Sequence, residues 1–559
     1  MVGMYITKIP TKTKKGKISH LCILLRESYR EQGKVKTRTI ANLTHCNPKE
    51  VSAIELALQY KDDLTALKTV DDFVEVKEGM SVGAVWLVHE LARRLGIEQA
   101  LGKERAGKLA LWQVIARVLD QGSRLSAVRL AGVHAACDVL GIRKGFSEDH
   151  LYRNLAWLSA NQKKIEKVLF KTRYRRKKQP ELFLYDVTSS YFEGVKNALA
   201  DWGYDRDKKK GKKQVVLGLL CDEQGDPVSV EVYHGNTRDY HTFGSQVKKV
   251  ADEFGCKRVT FVGDRGMIKS AQIAQLADHE FFHYITAITK PQINKLLTDG
   301  VFQMDLFEQE LCEIIHDSIR YVLRRNPLRA QQIAQTRKEK KATIEKLCKK
   351  KNTYLAEHPR ATVSVALKEV KDKIEQLKID AWLNVEATER TLESQEDTEA
   401  LEAAGKLDGC YVIKSDLPQE VNKQIIHDRY RDLAKVEKAF RTCKTTLLEM
   451  RPWHVHCEQS TRGHALVVML SFLIIRHLEE AWSDYDLTVE EGLAQLGTLC
   501  STQLLTKDGS SCHRIPTPRK ISSKLLQAAN VVLPSVLPSL GTPVGTRKKL
   551  PSERLSYRK

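Results

Sequence analysis

Asp186 sits at the end of the apolar run 182–187 (LFLYDV), and Asp264 directly follows another, 258–263 (RVTFVG). A carboxylate at a strand end projects into the crevice where sheets of this kind bind ligands, whereas an ionised aspartate buried within such a run is costly unless paired or metal-bound. Gly263 and Gly266 flank Asp264 and let the backbone turn sharply there. A third carboxylate, Glu437, lies in DRYRDLAKVEKAFRTCKTTLLEM, beside a stripe of Leu433, Val436, Phe440, Cys443 and Leu447 that steps by three and four. Tyr430, Glu437 and Lys444 recur every second turn of one predicted helix over about 422–449. They present a phenol, a carboxylate and an ammonium in a row, which suits a phosphodiester. Carboxylate sets of this type prefer hard Mg²⁺ or Mn²⁺ ions, and a pair of such ions about 4 Å apart activates an attacking oxygen and stabilises a leaving one. Singly, each residue has an ordinary reading: Asp186 caps a turn, Asp264 pairs with Arg265, Glu437 bridges Arg441 at i+4. It is their joint placement, at two strand ends and on a later helix, that points to catalysis.

The elements that must hold them follow from periodicity. After an acid-free run, 171–178, the chain reads as three strands (182–187, 215–221, 228–234), a helix (242–254), a strand (258–263), a helix (268–278) and a strand (281–288). That is the order of a ribonuclease-H-like α/β fold. A long, highly charged segment then interrupts it until Asp408, as a large insertion before the last catalytic helix. Before it, residues 4–44 alternate β-prone runs with Lys/Gly-rich turns, and 81–170 carry amphipathic helices. The expected division is a basic β-rich module at 1–75, a helical and possible DNA-end-binding domain at 76–175, the catalytic domain at 176–290 and 407–500, the insertion at 291–406, and a flexible basic tail, rich in Ser and Pro, at 505–559. The insertion's charged, helical middle does not read as all-β.

Lys and Arg number 91 against 70 Asp and Glu, and the resulting +21 makes a polyanion, nucleic acid first, the partner to test. The 12 cysteines include no Cys-x-x-Cys pair, so a zinc ribbon or thioredoxin-type site is not indicated; Cys443, His454, His456 and Cys457 match no standard finger. No apolar signal core opens the sequence, and the run 465–475 is too short for a bilayer, so it is expected to be a buried helix in a cytoplasmic, nucleoid-associated protein. The basic loop 206–213, with Lys208, Lys209 and Lys210, would lie near the carboxylates and hold phosphates or simply be solvated. Trp382 reads as a core residue before it reads as a stacking platform.

These motifs together resemble a known family. The helix resembles the Y-x2-R-x3-E-x6-K signature of insertion-sequence transposases with a DDE centre, the group named after insertion sequence four; its four positions are occupied by Tyr430, Leu433, Glu437 and Lys444. LYDVTSSYFEG, VYHGNTRD, FVGDRGM and VEKAFRTCK also resemble that group, in its branch with a β-rich N-terminal module. The resemblance implies a transposase that cuts DNA at element ends and joins the freed 3′-hydroxyls to target DNA. Asp186, Asp264 and Glu437 would hold two divalent ions, Asp186 bridging both. DNA contacts would come from Tyr430, Lys444, Arg441, Arg265 and Lys208–Lys210, and the partners would be terminal inverted repeats, target DNA and a second copy of the chain on paired ends. His234, Gly235, Asn236 and Asp239 match a further family motif, although a turn explains Gly-Asn equally well. Leu433 stands where the group has arginine; Arg429, Arg431 and Arg441 are the nearby replacements. A nuclease without strand transfer, or a catalytically decayed DNA-binding protein, are the competing readings.

Overall fold

The short N-terminal runs pair as a meander. β1 (Gly3–Lys12) lies antiparallel to β2 (Ile18–Glu31), and β2 to β3 (Lys34–Asn42). Gln32 and Gly33, at φ 49° and 77°, link β2 to β3 with the positive angles that a two-residue hairpin needs to match strand twist. The helix Pro48–Gln59 follows, started by Asn47, whose side chain accepts from the Lys49 N–H while Glu50 reaches back to the Asn47 N–H. The computed structural model describes residues 3–12, 18–62, 74–175, 178–451, 453–506 and 511–546. They fall into two compact units, one of residues 1–80, 500–516 and 534–539, the other of 81–499, 517–533 and 540–559. β4 (Val74–Ser81) closes the N-terminal stretch of the first unit.

The second unit opens with helices, the longest of them Gly83–Arg94, Arg105–Leu119 and Glu148–Arg173. Runs that are apolar on both faces then build a sheet buried on both sides. β5 (Leu182–Tyr191), β6 (Gln214–Asp222) and β7 (Pro227–Tyr233) are antiparallel neighbours; β8 (Val259–Gly263) pairs parallel with β5, and β9 (Phe282–Ala287) parallel with β8. β10 (Cys312–His316) and β11 (Ile319–Arg325) form a hairpin, β12 (Leu383–Thr388) and β13 (Thr391–Glu396) a separate one, and β14 (Cys410–Ser415) returns between β9 and β11. The eight-stranded order is β10-β11-β14-β9-β8-β5-β6-β7.

The insertion is smaller than expected. The sequence assigns all of 291–406 to it, yet β10 and β11 belong to the main sheet, because Tyr321, Val322 and Leu323 are buried there beside β14. What departs from the sheet is the 31-residue helix Pro327–Glu357, the helix Val363–Leu377, the β12–β13 hairpin and the helix Thr398–Gly405. These enclose a core of their own, in which Trp382 packs with Ile344, Val370, Ile374 and Leu383, so Trp382 is a core side chain.

Side chains alternate between the two faces of β5. Phe183, Tyr185 and Val187 pack with Phe243, Val247 and Phe261 on one side. Leu182 and Leu184 share the other side's core with Val436, Ala439 and Phe440 of the helix Leu433–Arg441 and with the apolar helix Glu458–Ala481. Asp186 has the parity of Leu184 and therefore faces the helix that carries Glu437. Behind the sheet, the Lys249 ammonium is buried and donates to Glu166 (2.9 Å), Ser229 (2.8 Å) and Glu231, tying the helix Glu148–Arg173 to β7. Arg173, in the acid-free run 171–178, pairs with Asp226.

The C-terminal region is more ordered than its Ser/Pro/Lys composition predicts. β15 (Cys500–Thr506), β16 (Ser511–Arg514) and β17 (Val536–Leu537) join β4 in a four-stranded sheet of the first unit. In the second unit the helix Lys520–Ala528 buries Leu525 and Leu526, and the Leu525 carbonyl accepts from the Trp482 indole. Residues 547–559, the end of the expected tail, lie outside the described residues. Among the described residues no helix is long and apolar enough to cross a membrane.

Candidate active site

Register brings the two aspartates together. The parallel pairing of β5 with β8 runs from Leu182↔Thr260 to Tyr185↔Gly263 and stops, so Asp186 and Asp264 are the first residues beyond the last shared rung. Asp186 is not at a strand end as expected: β5 continues to Tyr191 against β6. It lies where β5 loses its parallel neighbour, and the crevice opens there all the same. The turn after β8 does not use left-handed glycines either. A Cβ on Gly263 would lie 3.0 Å from Ile268 Cδ1, so that glycine supplies room rather than an unusual angle. The Asp186 carboxylate accepts from the Val187 N–H (2.8 Å) and Asp264 from the Arg265 N–H (2.7 Å).

The predicted single helix of 422–449 is three pieces. Lys423–Arg431 and Leu433–Arg441 meet at Asp432, and the chain then widens into a π-helical turn, Thr442–Thr446. Glu437 projects from the middle piece, and Leu433 is half-buried against the main core. The wide turn sends Lys444 inward. Its ammonium, buried, donates to Thr188 (3.0 Å) and Asp207 (2.7 Å), so it ties the loop after β5 to this helix instead of standing exposed in a row with Tyr430 and Glu437.

Asp186, Asp264 and Glu437 line one pocket of about 310 Å³, with Thr188, Arg206, Asp239, Gly266 and Phe440. Burial pushes the Asp186 carboxyl up to about 7; the Asp264 and Glu437 carboxylates add to the rise, and the Val187 N–H and Arg206 oppose it. Burial likewise raises the Tyr430 phenol, with Asp264 and Glu437 reinforcing and Arg265 opposing. Among the described residues no His, Cys, Asp and Glu side chains are gathered into a ready-made metal cage. The donor set is nonetheless all carboxylate oxygen, as hard divalent ions prefer, and a bound ion would offset the burial and the neighbouring carboxylates that raise Asp186. The Cys443, His454, His456 and Cys457 grouping forms no such site.

A pH dependence follows. A carboxyl raised from about 3.9 when unfolded to about 7 when folded favours the fold in its protonated form, so its contribution is complete below about pH 4 and is lost as pH rises through 7. In chelator, Asp186→Asn is expected to remove part of the fall in melting temperature between pH 4 and 8. The ceiling is about 4 kcal/mol, from about three pKa units at about 1.4 kcal/mol each. Parallel melting curves for variant and wild type across that range would contradict the assignment.

The remaining residues expected to touch DNA do not line this pocket. Lys208, Lys209 and Lys210 are exposed on the loop between β5 and β6, with the Lys209 ammonium 5.8 Å from the Tyr191 ring centroid. Arg265 and Arg441 are exposed. Of the replacements for the missing arginine, Arg429 is drawn to Asp432 (3.4 Å) and Glu223 (3.9 Å), and Arg431 is exposed. In the His234–Asp239 motif, Gly235 is needed for space, since a Cβ there would meet the Gln214 carbonyl, and Asn236 donates to Asp201 (2.7 Å). Sequence reasoning undervalued two pocket residues, Asp239 and Arg206. The available signal was that each belongs to a noted motif, Arg206 to the loop after the Asp186 strand and Asp239 to the turn after β7.

A mixed α/β sheet in this order, carrying its carboxylates beyond two adjacent parallel strands and on the helix that covers them, is a ribonuclease-H-like architecture. Residues 177–474 match the transposase DDE domain, and residues 6–67 match the N-terminal domain of IS1634 family transposases. The chain therefore belongs to the DDE transposases of insertion sequences, enzymes that cleave DNA and transfer strands with divalent metal ions. No curated protein matches it. Two solved structures resemble it loosely. A piggyBac transposase synaptic complex with hairpin DNA is 10% identical, with 70% of this chain and 69% of that one covered and a TM-score of 0.34. A Mos1 transposase paired-end complex with the left transposon end is 13% identical, with 27% and 52% covered and a TM-score of 0.15. The assignment rests on the family match.

Proposed function

We propose that Asp186, Asp264 and Glu437 are the catalytic carboxylates of this transposase. The observation that supports this is their convergence on one pocket from two adjacent parallel strands and the covering helix. Asp186, Asp264 and Glu437 would together hold a pair of Mg²⁺ or Mn²⁺ ions through their carboxylate oxygens. When bound, such ions supply activation of the attacking oxygen and charge stabilisation at the leaving one. The chain's own part is to hold these carboxylates oriented at one pocket, and to position DNA through Tyr430, Arg265, Arg441 and Lys208–Lys210. Water is the first nucleophile at the element end, and the freed 3′-hydroxyl is the second, towards target DNA. Lys444, engaged by Asp207, acts by fixing the phosphate-facing loop. The N-terminal module and the helices of 81–173 are the surfaces assigned to element-end recognition, and two chains pair on two ends.

Strand transfer with precut ends tests the reading. Joined product is expected in Mg²⁺ or Mn²⁺ and none in chelator; joining undiminished by chelator would remove the metal assignment.

A further inference from the structure

The pocket contains a cation that this catalytic reading leaves unused. Among the described residues that line it, Arg206 alone is positively charged, opposite Asp186, Asp239, Asp264 and Glu437. Its Nη2 donates to both Asp239 oxygens, at 2.7 and 2.6 Å. Its guanidinium also lies 5.6 Å from the Tyr204 ring centroid, but its Nε and Nη1 make no hydrogen bond among the described residues and its side chain is 24% exposed, so three N–H groups of a rigid fork are left unpaired on a residue that lines the pocket. The backbone beneath it is fixed. The Arg206 N–H donates to Ser189 Oγ (3.0 Å), and the next residue, Asp207, accepts from Lys444 (2.7 Å), Arg451 (2.6 Å) and the Tyr191 N–H (3.1 Å). A solvated surface arginine has no need of such anchoring.

We propose that Arg206 binds a non-bridging oxygen of the scissile phosphate and that Asp239 is its positioning residue; this rests on the catalytic reading above. Charge supports it: four carboxylates and one guanidinium leave the pocket three negative charges, which two divalent ions turn into a single positive one, matched to one phosphodiester. A planar guanidinium with spare donors suits phosphate oxygens better than an ammonium does. Asp239 is thereby separated from the other three carboxylates: its oxygens are committed to Arg206, so it orients the guanidinium and is not a metal ligand.

The test uses the full chain on linear DNA carrying the element end, with Asp186→Asn alongside. At saturating DNA in Mg²⁺, Arg206→Ala is expected to cut about 10²-fold more slowly, the loss typical of one preorganised charge-stabilising donor. Added ethylguanidinium is expected to return part of the rate. Asp239→Asn is expected to lie between, with an unchanged metal requirement. A readout independent of turnover is binding in Ca²⁺, which fills hard-oxygen sites and so keeps the pocket's charge matched to the phosphate, with any cutting scored separately. A methylphosphonate at the scissile position is expected to weaken wild-type binding about tenfold, as loss of a charge-assisted hydrogen bond does, and to leave Arg206→Ala binding unaltered. Wild-type cutting by Arg206→Ala, or equal methylphosphonate sensitivity in both proteins, overturns the proposal. If Asp186→Asn also cuts normally, the catalytic reading fails with it; if Asp186→Asn is inactive, only the role of Arg206 fails.

Discussion

Asp186→Asn and Glu437→Gln are each expected to leave a folded protein that binds element ends but cleaves them on the order of 10³-fold more slowly, about 4 kcal/mol of barrier. The size follows from what the substitutions remove. Asparagine keeps an oxygen to accept from the Val187 N–H and loses only the charge. Since burial already penalises that charge, folding does not depend on it. Glu437 is exposed at the pocket and contributes nothing to the core beside it, so glutamine there is equally benign. What disappears in both is a ligand for a dication and the transition-state stabilisation that comes with it. Cleavage of linear DNA carrying native ends in Mg²⁺, with binding measured in parallel, decides the matter. Equal cutting by wild type and both variants would end the assignment while leaving DNA binding untouched.

A second large effect is expected far from the chemistry. Lys249→Ala should cost about 3–5 kcal/mol of stability, because it strands Glu166 in the interior with no counter-charge. Burial lowers the lysine's own pKa, but Glu166 and Glu231 outweigh it and raise it overall, while burial raises that of Glu166. The pair is thus held by mutual attraction against a desolvation cost. Adding Glu166→Gln to Lys249→Ala is expected to recover much of the loss, since a neutral amide is left in place of a charge. Chemical denaturation of the single and double variants measures this, and a single variant as stable as wild type would show that the buried charges contribute little.

Much of this was legible in the chain because of where the strands are buried. Runs such as LFLYDV and RVTFVG are apolar on both faces, which only a covered sheet permits, and carboxylates at their ends stand out against that background. Less was legible where polar residues are buried by later parts of the chain. The apolar run suggests a strand that stops at Val187, yet Thr188, Ser189 and Ser190 are all buried and β5 continues through them. The seven-residue spacing that aligns Tyr430, Glu437 and Lys444 assumes 3.6 residues per turn, and the wide turn at Thr442–Thr446 breaks that assumption for Lys444 alone. The C-terminal order depends on Leu525 and Leu526 finding a distant tryptophan, which local composition does not encode.

The insertion leaves the sheet at the end of β11 and comes back at the start of β14, where Arg325 and Cys410 are direct partners and the Asn326 N–H donates to the Gly409 carbonyl (2.9 Å). Departure and return share a single doorstep. A cassette mounted this way can lengthen, shrink or be exchanged among descendants while the strands on either side keep their alignment, so this edge of the molecule is free to diversify on an unchanging engine.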